Sequence, residues 1–140
     1  MKILRVAIVA LLAVMLASAQ TAAPALSAEI PFAFEMAGVT LPPGEYRVTF
    51  SPERTWIMVR DFDTNDSALA VAFSVYPKDM SSDNVKLIFN RYNDRYFLSQ
   101  VWHPNVVREL PKSKQERELV TSRLVAQNPV RVVIAAKLVR

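Results

Sequence analysis

Val85-Lys86-Leu87-Ile88-Phe89-Asn90-Arg91-Tyr92-Asn93-Asp94-Arg95-Tyr96-Phe97-Leu98-Ser99-Gln100-Val101-Trp102 is the stretch that decides the fold class. Two runs rich in β-branched and aromatic residues flank Asn93-Asp94. Asn and Asp tolerate the positive φ of a two-residue turn, so the pattern predicts a tight hairpin of strands 85–92 and 95–102. Val85, Leu87 and Phe89 alternate with Lys86, Ile88 and Asn90, which assigns the face bearing Val85 to the core. In the partner strand Phe97 and Val101 fall on one face and Tyr96, Leu98 and Trp102 on the other, so both sides are expected to be partly covered.

Working outward from the hairpin, further strand patterns recur at short intervals separated by turn residues, the pattern of a sandwich or barrel and not of alternating helices and strands. Residues 30–35 open the series with Ile30, Phe32 and Phe34 on one side, and Pro31 suggests an edge position. Residues 36–38 turn the chain. Leu41-Pro42-Pro43-Gly44 fits a type II turn, with Gly44 supplying positive φ, and feeds a strand at 45–50. The nearly continuous apolar run at 56–60 predicts a strand covered on both faces. Residues 61–67 form a polar connection. Residues 68–76 put Leu69, Val71, Phe73 and Val75 on one face and Ala68, Ala70, Ala72 and Ser74 on the other, where the small side chains let another element approach closely.

After His103-Pro104-Asn105 the texture changes. Ser113-Lys114-Gln115-Glu116 reads as a capping box opening a charged helix that runs to about Ala126, and its modest stripe of Leu119, Val120 and Leu124 must dock on the sheet. Asn128-Pro129 stops it. Residues 130–139 return to alternation, with Val130, Val132, Ile134, Ala136 and Leu138 on one face. The expected architecture is therefore mainly β: a single small β-sandwich or barrel-like domain with one short helix in the C-terminal half.

The N-terminus predicts a cleavable secretory signal over residues 1–19. Lys2 and Arg5 form a positive start, and residues 6–17 are an uncharged apolar run of twelve, short of the roughly 20 that span a bilayer as a helix. Ala17-Ser18-Ala19 offers small residues for a cut before Gln20, and Ser27-Ala28 offers a second site before Glu29. Residues 20–28 read as an Ala/Pro/Ser-rich linker and residues 29–140 as the β-rich domain. The expected address is periplasmic or secreted, with no stable membrane anchor after cleavage.

The signal carries two of the seventeen Lys and Arg residues and none of the thirteen Asp and Glu, so the mature chain has a net charge of +2 against +4 for the whole. So small and dispersed an excess does not predict nucleic acid as a partner. Zero cysteines remove disulfides, thiol nucleophiles, zinc fingers and a lipoprotein anchor. With one histidine, a metal site would need His103 plus carboxylates, and none sits at a fixed short spacing from it. The two glycines of the mature chain leave no nucleophile elbow, phosphate loop or dinucleotide fingerprint. Asp61, Asp63, Asn65 and Asp66 lack the Gly and closing Glu of a calcium loop and read as a solvated turn. No catalytic residue, metal ligand or cofactor is therefore expected.

One cluster rises above background: Arg91, Tyr92, Arg95, Tyr96, Trp102 and His103 on the hairpin. Tyr, Trp and Arg are enriched in binding hot spots, which makes these six the expected binding residues for an envelope or extracellular protein or glycan. The competing reading is that they are cross-strand pairs stabilising the sheet.

Ile30-Pro31-Phe32-Ala33-Phe34, Leu41-Pro42-Pro43-Gly44-Glu45-Tyr46, Arg91-Tyr92-Asn93-Asp94-Arg95-Tyr96-Phe97-Leu98 and Arg108-Glu109-Leu110-Pro111 with Glu116-Arg117-Glu118 together resemble a family of small, functionally uncharacterised exported bacterial proteins frequent in acidobacterial genomes. The resemblance implies a small periplasmic or secreted β-rich domain and carries no activity, cofactor or site residue with it. The expected function is a non-enzymatic exported binding module of the cell envelope. The alternatives are an envelope glycan hydrolase using paired carboxylates and a structural envelope component.

Overall fold

The computed structural model describes residues 25–51, 53, 55–79, 84–104, 106–122 and 128–139. The predicted signal, residues 20–24 of the predicted linker and residues 123–126 of the predicted helix lie outside them. Among the described residues the chain forms β1 (Ala25–Ile30), β2 (Phe34–Met36), β3 (Val39–Leu41), β4 (Gly44–Phe50), β5 (Trp56–Asp61), β6 (Ser67–Val71), β7 (Phe73–Val75), β8 (Lys86–Tyr92), β9 (Arg95–His103), β10 (Val106–Glu109), helix α1 (Lys114–Thr121), β11 (Val130–Ala135) and β12 (Lys137–Val139). The mainly β class expected from the hairpin and its neighbours is the class observed.

One sheet has the order β12-β1-β4-β5-β6 and the other β11-β8-β9-β10-β7, with β2 added beside β9 and β3 beside β2. All pairings are antiparallel except β2 with β9. The outer strands of one sheet run directly into the outer strands of the other: β6 becomes β7 across Ala72, and β12 follows β11 across Ala136. Strands that switch sheets make corners, so two sheets joined at both margins close into a flattened barrel. Alanine suits both corners because the backbone there comes close to a neighbouring strand: the Ala72 N–H donates to the Thr55 carbonyl at 3.1 Å and the Ala136 N–H to the Val85 carbonyl at 3.1 Å.

The core lies between the sheets, with Leu26, Ile30, Phe34, Tyr46, Val48, Ile57, Leu87, Phe89 and Val101 fully buried. Aromatic edges organise its centre. Phe89 meets Phe32 at 5.0 Å and Phe34 at 5.4 Å between ring centroids, and Phe34 meets Tyr46 at 5.1 Å, all edge-to-face.

Several expectations need correction. Residues 25–28 are not linker: they form most of β1, an interior strand between β12 and β4. The predicted strand over 30–35 is broken, since Pro31 has no N–H for an interior ladder; Ile30 ends β1 and Phe34 begins β2. Gly44 is not at positive φ, so the Leu41–Gly44 bend is not a type II turn; the positive-φ glycine is Gly38, which with Ala37 makes the β2–β3 turn. Gly44 matters for space, because a Cβ there would lie 2.8 Å from Asp61 Oδ2. Asp61 is not a solvated turn residue but a buried one, its Oδ1 accepting from the Asp63 N–H at 2.8 Å and the Thr64 N–H at 3.2 Å. In β5, Ile57 and Val59 face the core while Trp56 and Met58 are only half-buried, so the strand is not covered equally on both faces.

The hairpin is as expected, with Tyr92 paired to Arg95 and Asn93 at φ 55°. A bulge changes the facing of its second strand: Ile88 pairs with Gln100 but Phe89 with Leu98, leaving Ser99 unmatched. Leu98 and Val101 therefore share the core side, and Phe97 joins Tyr92 on the opposite face, against the simple alternation read from sequence. The expected single strand over 130–139 is divided between the sheets, and β3 and β10 were not anticipated.

Phe89 is fully buried with two ring partners, so Phe89→Ala should destabilise the domain by about 3–5 kcal/mol in urea unfolding. A loss below about 1 kcal/mol would mean that the face bearing Phe89 is not the core face.

Candidate interaction groove

The six hairpin residues expected to form a binding surface are dispersed by the fold. Tyr92 is 2% exposed, and its hydroxyl donates to Glu116 Oε2 at 3.1 Å. Arg95 grips Glu35 bidentately, Nε to Oε2 at 2.9 Å and Nη2 to Oε1 at 2.7 Å, tying the hairpin to β2. This hydrogen bonding holds the guanidinium pKa above its ordinary value. Tyr96 stacks on Phe32 at 3.9 Å. Arg95 and Tyr96 do line a shallow hollow with Glu35, Asp94, Ala33 and Thr40.

Trp102 sits at the other end of the hairpin. It pairs with Lys86, whose ammonium lies 4.3 Å from the ring centroid, and donates from Nε1 to Gln100 Oε1 at 3.0 Å. His103 lies edge-on to Phe50 at 5.6 Å. Arg91 is exposed and pairs across to Tyr96 and Val130. The separation between the Arg91 and Trp102 ends is set by five positions of β8, roughly 17 Å at strand rise, so the six do not converge on one ligand.

A groove of about 470 Å³ lies elsewhere, between β6 and α1. Its floor includes Phe97, Leu98 and Leu110, and Leu69 and Val71 form one wall. Glu35, Met36 and Ala37 at the end of β2 line the groove as well, and the remaining wall is α1. Ser113 caps that helix, its Oγ accepting from the Glu116 N–H at 3.2 Å. The reciprocal half of the predicted capping box is replaced: the Glu116 carboxylate turns inward, is buried, and accepts from Tyr92 and, at 3.4 Å, from Asn90 Nδ2. The helix thus docks through a buried carboxylate, with Leu119 and Val120 only half-buried.

The two acids along the groove are both committed within the fold, Glu35 to Arg95 and Glu116 to Tyr92 and Asn90. Its cations are Lys112, Lys114 and Arg117. Lys114 makes a loose exposed pair with Glu118 at 3.8 Å, while Lys112 and Arg117 hold no carboxylate among the described residues. The groove is apolar at its base and positive along one rim.

The wall strand has an inverted pattern. Ala68 and Ala72 point into the core, whereas Leu69, Val71 and Phe73 are 56%, 59% and 59% exposed. Phe73 continues the same face into an adjoining cleft beyond the Leu110–Lys112 segment. Alternation over 68–76 marks these two faces in the sequence, whereas charge and aromatic content concentrate on the hairpin.

Among the described residues no group of three or more His, Cys, Asp or Glu side chains is placed to hold a metal ion, and no helix is long and apolar enough to cross a membrane. No protein-family model, curated protein or solved structure matches the chain.

Burial first, and then the adjacent Glu116 carboxylate that accepts its hydrogen bond, push the Tyr92 hydroxyl from its ordinary 10 up to about 12. The neutral phenol is thus favoured by the fold. Its contribution to stability is complete below pH 10 and lost as pH rises toward 12. Urea unfolding across this range should show stability falling, with a shallower fall in Tyr92→Phe; an unchanged slope would separate Tyr92 from the alkaline transition. A residual slope is expected in that variant, because burial and Asp61 raise the Tyr46 hydroxyl as well.

Proposed function

We propose that the chain is an export precursor whose mature β-domain is a non-enzymatic binding module of the cell envelope, periplasmic or secreted. The observation that carries the binding reading is the outward-facing Leu69, Val71 and Phe73 on a strand whose alanines fill the core. Burying a Leu, Val or Phe side chain stabilises a fold by roughly 1.5–3 kcal/mol. A strand shaped by stability alone would turn this face inward and leave the alanines outside. Contiguous exposed apolar surface beside a groove is characteristic of interaction sites.

Export is supported by the order of Lys2 and Arg5, the uncharged run at 6–17 and Ala17-Ser18-Ala19. The likeness to small exported bacterial proteins points the same way. The fold adds a preference between the two cutting sites: release before Glu29 would remove Ala25–Ala28, most of β1, with the buried Leu26 and Ala28. N-terminal sequencing of protein from the envelope fraction should therefore begin at Gln20, and an intact Met1 there would refute export by cleavage.

Affinity capture from an envelope extract tests the binding reading. Replacing Leu69 and Val71 together by threonine puts a β-branched strand former at each of two exposed positions, so stability should stay within about 0.5 kcal/mol per site. Recovery of the partner caught by the wild type should fall about tenfold or more. Equal recovery by the variant, or no partner for the wild type, would overturn this reading.

A further inference from the structure

The outer face of the sheet β12-β1-β4-β5-β6 carries its cations in one row across the strands. Ser27 of β1 stands between Lys137 of β12 and Arg47 of β4, Arg47 lies opposite Arg60 of β5, and Arg60 lies opposite Ser67 of β6. These positions alternate with the buried Leu26, Tyr46, Val48, Val59 and Ala68, so the period of two turns them outward. Lys137, Arg47, Arg60 and Ser67 are exposed and Ser27 is half-buried. Helix α1 does not cover them, because its Glu116 docks on Asn90 and Tyr92 of the other sheet.

Arg47 directly opposite Arg60 costs stability, and so does Glu29 directly opposite Glu45 one row further along. A face arranged for stability alone would set an acid opposite an arginine in both rows. Here the signs are sorted instead. Glu29, Glu45 and the turn residues Asp63 and Asp66 lie to one side of the cation row, and Thr49, Met58 and Leu69 to the other. Among the described residues no ion pair uses Arg47, Arg60 or Lys137. The two guanidinium groups lean to opposite sides: Arg60 Nη2 lies 3.8 Å from Met58 Sδ, whereas Arg47 Cζ lies 6.0 Å from the centroid of the Phe62 ring.

The shape of the row identifies what would neutralise it. With strands about 4.8 Å apart, it runs roughly 19 Å from Lys137 to Ser67, and Lys137 stands roughly 10 Å from Arg47. A single phosphate cannot reach all three cations, whereas a chain of anionic groups can. An anionic membrane lying on this face would also press its phosphates on Glu29 and Glu45, only about 7 Å along the strands from the cations. A single chain occupies the row alone. Ser27 and Ser67 add hydroxyls that both donate and accept, which complements a chain carrying hydroxyls beside its acids.

We propose that this row is a second binding surface, independent of the groove, that takes a linear acidic polysaccharide laid across the strands. Its carboxylates sit at Arg47, Arg60 and Lys137, its hydroxyls at Ser27 and Ser67, and its C–H faces beside Thr49 and Met58. Only export is a premise shared with the binding-module reading.

The test uses the mature protein with four probes: polygalacturonate, its methyl ester, polyglutamate and phosphatidylglycerol vesicles. Polygalacturonate should bind about tenfold or more tightly than the ester, which keeps the sugar chain and removes its charge, and the advantage should shrink with salt. It should also bind about tenfold or more tightly than polyglutamate, which lacks hydroxyls. Arg47→Gln with Arg60→Gln should weaken polygalacturonate about tenfold or more. Because this variant removes a repulsive pair, its melting temperature should not fall. Arg60→Glu sets an acid opposite Arg47 and should abolish binding, again without a lower melting temperature. Lys78→Gln with Arg131→Gln makes the same change in net charge at exposed positions outside the row, and its binding should equal that of the wild type.

Equal binding of the ester, no binding of polygalacturonate, or an equal loss in the Lys78 and Arg131 variant would overturn a site at this row. A lower melting temperature in the Arg47 and Arg60 glutamine variant would assign the arginines to the fold and overturn it too. Polyglutamate bound as tightly as polygalacturonate would make the partner an acidic protein chain, and vesicles that compete polygalacturonate away would make it a membrane; either overturns the polysaccharide. Failure of the groove is read separately, by partner recovery with the Leu69 and Val71 variant.

Discussion

At Ala72 the chain transfers its hydrogen bonds from one sheet to the other, and most of the architecture follows from that transfer. Up to Ala72 the even-numbered residues of β6 pair with β5; beyond it, Phe73 and Val75 pair with β10 on the opposite edge. Ala136 makes the matching corner between β11 and β12. The two corners let a domain without disulfides enclose one core, with seven of its twelve described strands paired to two or more neighbours. The corner also constrains facing. Ala72 is buried at the corner, and along β6 and into β7 Ala68 shares its face while Leu69, Val71 and Phe73 take the other.

A second constraint acts through carboxylates. Glu116 and Glu35 are drawn into the fold by Tyr92, Asn90 and Arg95, which fixes α1 and β2 against the hairpin without a large apolar helix face. Removing a hydrogen-bond partner of the buried Glu116 leaves a desolvated charge, costing more than the bond itself contributes, whereas the partly exposed Arg95–Glu35 pair is screened by water. The hairpin's Tyr92, Asn90 and Arg95 thus serve as anchors for α1 and β2.

Much of the fold was legible in sequence because it rests on local periodicity. Turn chemistry at Asn93-Asp94 and alternation through Leu87 and Phe89 specify the central hairpin, and Ser113 marks the helix start. What sequence did not disclose depends on neighbours distant in the chain. Ala25–Ala28 look like linker until β4 and β12 flank them. Gly44 looks like a turn residue until the Asp61 carboxylate occupies the space its missing side chain leaves. The bulge at Ser99 changes facing without altering composition. The hairpin cluster is ambiguous for a related reason: arginine and tyrosine content marks hot spots and cross-strand anchors alike, and Arg95 and Tyr92 hold contacts within the fold.

The chain that covers the flank of the corner comes from elsewhere in the sequence. Leu110 still bonds Ser99, but Pro111 has no N–H with which to continue a ladder, and the chain leaves toward α1. β2 takes up the edge of β9 that β10 leaves: Glu35 pairs with Phe97, whose other side is held by Asn90 of β8. The β2–β3 hairpin thereby comes within 8 Å of β6 between Cα atoms. A bare strand edge is ordinarily a hazard, since any chain with free N–H and C=O groups can add to it. Here the hairpin stands too close to β6 for a further strand, which needs about 9.5 Å between its two neighbours. The Arg95–Glu35 pair fastens β2 to the central hairpin, so the carboxylate that draws β2 onto β9 also keeps the flank of β6 covered.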